Sequence, residues 1–77
     1  MEHTPTRRKR FESVAARRVQ GVLDYLDRLG NCSNRANYEY GREDVRKMFD
    51  AIRERVKVVE TAFEKELNKS AKNKFKF

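Results

Sequence analysis

Apolar residues recur along this chain in two blocks, each with a helical repeat. In the first, Ala15, Val19, Val22, Leu26 and Leu29 follow a 4-3-4-3 spacing, and Phe11 extends the row by one more turn. That period places them on one face of a helix. In the second, Val45, Phe49, Ile52, Val56, Val59 and Phe63 repeat as 4-3-4-3-4, a heptad seam that Met48 and Leu67 widen. The run Arg55-Val56-Lys57-Val58-Val59 alternates and is β-branched, so in isolation it reads as a strand. The seam passes through it in register and no turn signal bounds it, so a helix is expected there.

Local signals set the boundaries. Helix 1 is expected over 5–29, with Thr4 or Thr6 as N-cap and Pro5 at the first helical position, where its missing N–H costs nothing. Gly30 would supply the left-handed position that ends a helix, with Asn31 behind it. Helix 2 is expected over 42–68, with Gly41 as a weak N-cap. Glu43 and Asp44 suit the positive end of the helix dipole, and Glu43 and Lys47 are spaced as an i,i+4 pair. Residues 30–41 form the connection. Its asparagines can satisfy backbone groups locally, and Tyr38 and Tyr40 bring ring area with a polar tip. An ordered cap is expected, with the rings, and Cys32 as a small buried hydrophobe, packed on the helix ends.

The expected fold is therefore all-α: an antiparallel hairpin of two long helices with an ordered polar-aromatic loop. Each rod would be about 35–40 Å long at 1.5 Å per residue, crossing its neighbour at a shallow angle near +20°. Two helices leave much of a roughly 100°-wide stripe uncovered, so pairing of two hairpins into a four-helix bundle is the companion expectation.

Size and composition sharpen this picture. Seventy-seven residues make one domain at most, and a chain this short is marginal without extra stabilisation. A single cysteine and a single histidine offer neither an internal disulfide nor a zinc site. No cofactor or metal is expected. His3 lies in the terminal arm and Cys32 has no histidine partner, so no catalytic constellation is present and an enzyme is not expected. MEHTPTRRKR has no signal-peptide core, and no apolar run is long enough to span a membrane. With one free thiol, that points to the cytoplasm.

Net charge is +7, and it is unevenly placed. Residues 42–66 carry seven basic and seven acidic side chains. The excess sits in the arm at 1–10, with Arg7, Arg8, Lys9 and Arg10, and in the tail at 69–77, with Lys69, Lys72, Lys74 and Lys76. In a hairpin these ends would meet at one pole. Arg10, Arg17 and Arg28 fall within about 20° of one another around helix 1, with Arg18 nearby and Asp24 interrupting them. Cations in the first turns of a helix oppose its dipole, at about 0.3–1 kcal/mol each. A partner that supplies anions would resolve that conflict.

Arg10-Phe11, Arg17-Arg18-Val19, Leu29-Gly30-Asn31-Cys32-Ser33-Asn34, Tyr38-Glu39-Tyr40 and the Val45…Phe49 start of helix 2 carry a resemblance over residues 8–63. The chain resembles a group of short uncharacterised proteins of Gram-positive conjugative transposons and related mobile elements. The group tends to have Thr at the position of Gly41 and an apolar residue at that of Cys32. The resemblance implies a mobile-element context and brings no activity with it.

Two functions remain open. In one, a small accessory protein binds DNA or RNA non-specifically through Arg7, Arg8, Lys9, Arg10, Arg17, Arg18, Lys69, Lys72, Lys74 and Lys76. In the other, the chain is a homodimer or a partner of another element-encoded protein. The interface is then the seam Val45, Phe49, Ile52, Val56, Val59 and Phe63, or the loop with Tyr38 and Tyr40, and the basic ends only solubilise.

Overall fold

The computed structural model describes residues 6–72, and side chains for 6–69. The chain is all-α, with the element order of a helical hairpin. A long helix α1, Thr6–Gly30, leads through a short 3-10 turn, Asn31–Ser33, to a second long helix α2, Arg42–Lys72. No strand occurs among the described residues, and the β-branched run at 55–59 lies within α2. The expected caps Thr4 and Pro5 lie outside the described residues. The chain divides into two units, Met1–Glu39 and Tyr40–Phe77, each built on one helix.

The exit from α1 differs from expectation. Gly30 has φ −57° and ψ −31°, which is right-handed, and no described glycine has positive φ. A Schellman closure needs an apolar residue just beyond the glycine to pack back on the last turn. Here Asn31 stands there, so the chain tightens into a 3-10 turn instead. Asn34 then stops it, with φ −68° and ψ 105°.

Asn34 organises the link. Its side-chain Oδ1 accepts from the Ala36 N–H at 3.0 Å. Its carbonyl accepts from Asn37 N–H at 3.1 Å and Tyr38 N–H at 3.0 Å. One residue thus satisfies three backbone donors, the local service expected of the asparagines. Cys32, however, is exposed, because a single 3-10 turn offers it no apolar wall. Tyr38 is likewise exposed, at 53%, and only Tyr40 of the pair is half-buried.

α2 begins where its signals place it. The Gly41 carbonyl accepts from Asp44 N–H at 3.1 Å and Val45 N–H at 3.2 Å. The Asp44 carboxylate reaches back to the Gly41 N–H at 2.9 Å. This is the returning half of a capping box, and it makes up for a glycine that has no capping side chain. Glu43 pairs with Arg46 at 3.6 Å rather than with Lys47. α2 is described as far as Lys72, a turn beyond the expected boundary.

No described residue is buried. Of the seam, Val45 and Ile52 are half-buried, while Phe49, Val56, Val59 and Phe63 are exposed. The row on α1 is open in the same way, with Phe11, Val19, Val22 and Leu26 exposed.

Two measurements test these local assignments. A Cβ built on Gly30 meets nothing within 4 Å, and its φ suits any residue. Gly30→Ala should therefore raise stability by about 0.4–1 kcal/mol, read as a higher urea midpoint of the helical circular dichroism. A left-handed Gly30 would give a loss instead. The folded chain should also react through Cys32 with a chromogenic disulfide at a rate close to that of the urea-unfolded chain; strong protection would contradict its exposure.

Candidate nucleic-acid interface

α1 concentrates the excess charge. Over Thr6–Gly30 it holds seven basic side chains against Glu12, Asp24 and Asp27, and its first turn contains no acidic residue. At roughly 100° per residue, Arg7, Arg10, Arg17, Arg18 and Arg28 share an arc of about 100°. No carboxylate falls inside it, and Asp24 sits just beyond its edge. The arc adjoins the apolar row without overlapping it. From Arg7 to Arg28 it extends about 30 Å along the helix at 1.5 Å per residue.

The local partners divide these cations. Arg8 lies off the arc, on the side of the apolar row. Its Nε donates to Glu12 Oε2 at 2.9 Å, and its guanidinium lies 5.5 Å from the Phe11 ring centroid. Both contacts are local and exposed, and they neutralise Arg8 within its own turn. Lys9 falls on the far side of the arc, in the column of Asp27. Arg7, Arg10, Arg17 and Arg18 are exposed and have no ion pair or hydrogen bond among the described residues. Asp24 is engaged by Gln20, whose Nε2 donates to its Oδ1 at 2.9 Å.

One residue of this face, Tyr25, was not among the sequence candidates, and Arg28 was read only as aligned with Arg10 and Arg17. The Arg28 guanidinium lies 4.9 Å from the Tyr25 ring centroid, and Tyr25 is 68% exposed. Tyr25 stands within the arginine arc, so the face carries an open aromatic ring as well as charge. The i,i+3 spacing of Tyr25 and Arg28, in line with Arg10 and Arg17, was the available signal.

The C-terminal candidates are less concentrated. Lys69 is paired with Glu66 at 3.7 Å, Lys72 is the last residue of α2, and Lys74 and Lys76 lie outside the described residues. Along α2, Arg46 and Arg53 are also paired, with Glu43 and Asp50. The described positive surface with the fewest compensating carboxylates is therefore on α1.

No group of three or more potential metal-ligating side chains occurs among the described residues. No described helix is long and apolar enough to cross a membrane. No family model, curated protein or solved structure matches the chain.

Proposed function

We propose that the chain is a small helical accessory protein that binds nucleic acid through the arginine face of α1. The observation that carries this reading is the arc of five arginines with no carboxylate inside it. Guanidinium groups pair with phosphate bidentately and stay charged at any physiological pH. Spread over about 30 Å of one helix, they can meet several successive phosphates. Tyr25 adds a surface on which an unpaired base can stack. No side-chain set resembles a base-reading constellation, so affinity comes from the backbone and sequence preference is weak. The resemblance of residues 8–63 to proteins of conjugative elements suggests the setting, with DNA as the nucleic acid and a role in transfer or regulation.

A second reading assigns function to contact with another protein through the seam or the 31–40 loop. The exposure of Phe49, Val56, Val59 and Phe63 favours it. In that case the arginines serve solubility alone.

A salt series separates the two. Mobility shift of a short duplex and a single strand should show dissociation constants of about 10⁻⁴–10⁻⁶ M at physiological salt. Five phosphate contacts imply a log–log slope of about −4 to −5 on duplex DNA. Arg10→Gln and Arg17→Gln should each reduce the slope by about one, whereas Arg8→Gln should leave it unchanged. Helicity should persist in all three, since Gln is a good helix former. No shift at low salt, or equal losses from all three substitutions, would reject the arginine face as the binding surface.

A further inference from the structure

Gly21 stands in the middle of the arginine face. At roughly 100° per residue it falls inside the arc, one turn after Arg17 and Arg18 and one turn before Tyr25. Glycine is the poorest helix former after proline, because it loses the most backbone freedom on folding. What it offers in exchange is close approach to the backbone. A Cβ built on Gly21 meets nothing within 4 Å, so α1 itself makes no use of the missing side chain. Gly21 also lies about 120° from the centre of the apolar row, and therefore belongs to the charged side of the helix.

Two kinds of chemistry border this gap. On its N-terminal side Arg17 and Arg18 are exposed and have no ion pair or hydrogen bond among the described residues. On its C-terminal side stands Tyr25, 68% exposed. A helical side chain leans over the turn N-terminal to its own Cα. Arg28 follows that rule, with its guanidinium 4.9 Å from the Tyr25 ring centroid. The cation reaches the ring from the C-terminal side, and position 21, on the other side, carries no side chain to cover it.

We infer that the arginine face takes a single DNA strand in preference to a duplex, with one unpaired base stacked on Tyr25 above Gly21. The inference rests on the nucleic-acid reading above and adds the class of strand. Arg17 and Arg18 pair with the phosphate on one side of that base, and Arg28 backs the stacked ring. Phosphate contacts alone favour a duplex, whose charge density is higher and which releases more counterions per contact. A stacking ring reverses that order, because every base has a π-face and a duplex exposes one only by unstacking it. The base needs the helix surface beside Tyr25 to be clear. Glycine provides that clearance, and any larger residue restricts it.

Fluorescence anisotropy with the full chain tests this, using a labelled oligothymidylate strand and a mixed-sequence duplex of equal length. The strand should bind more tightly. Its lead should widen as salt rises, since the log–log slope is about −0.7 per contact on a single strand against about −0.9 on a duplex. Tyr25→Leu should reduce that lead about fivefold to a hundredfold, whereas Tyr25→Phe should preserve it. Gly21→Leu should reduce it as well, while raising the urea midpoint of the helical circular dichroism. Lower affinity in a more stable helix separates a lost docking gap from a lost fold. Equal affinity for strand and duplex, or a lead that survives either Tyr25→Leu or Gly21→Leu, overturns the inference and leaves the arginine face as a phosphate-binding surface. No binding of either probe at low salt overturns both readings.

Discussion

An amphipathic helix is held in water by whatever covers its apolar side, and the rest of this molecule depends on that condition. The contacts within each helix are individually weak. Four ion pairs occur among the described residues, all exposed and three or four positions apart, and each such pair contributes about 0.3–0.5 kcal/mol. Burying one valine, leucine or phenylalanine contributes roughly 1.5–3 kcal/mol. Fourteen large apolar side chains are exposed among the described residues. The stabilising potential therefore lies overwhelmingly in surfaces that the two helices still present. Helix propensity and caps choose the conformation, but covering those surfaces makes it persist.

The placement of charge is compatible with that demand. On α1 the arginine arc adjoins the apolar row rather than interleaving with it, so a neighbour can cover the row while the guanidinium groups keep their water. Arg8 is the exception that clarifies the pattern. It sits on the apolar side, and there its charge is met by Glu12 and its plane lies near Phe11. Cations of the open arc have no such local partner.

The helices were legible because period and caps agreed. Expected spans of 5–29 and 42–68 became Thr6–Gly30 and Arg42–Lys72, and the seam's register outweighed the strand-like composition at 55–59. The errors have a common origin in the link. Glycine after a helix suggests a left-handed exit, but that exit also needs an apolar closing contact, which Asn31 cannot make. Cys32 was expected to pack, yet packing requires a surface within reach, and one 3-10 turn provides none. Which asparagine would organise the turn was not readable either, since Asn31, Asn34 and Asn37 differ only in the backbone angles each adopts. The Tyr25–Arg28 pair was visible as a spacing, but its place in the arginine arc mattered only once Arg8 and Lys9 had been separated from the rest.

The two helix starts make the strongest internal comparison. α2 opens with Glu43 and Asp44 in its first turn, and the Asp44 carboxylate closes on the Gly41 N–H. Dipole and hydrogen bond are both served, as an isolated helix requires. α1 opens with four consecutive cations and no acid in its first turn, which opposes the same dipole at about 0.3–1 kcal/mol per charge at low salt. A chain that solves the problem at one helix and inverts it at the other is not merely basic throughout. The inversion costs stability, and Glu12, engaged with Arg8 alone, does little to offset it. An anion docked along the arginine arc would supply the missing negative charge. Nucleic acid is a polyanion that presents phosphates at regular intervals along its length, and so could follow such a helix.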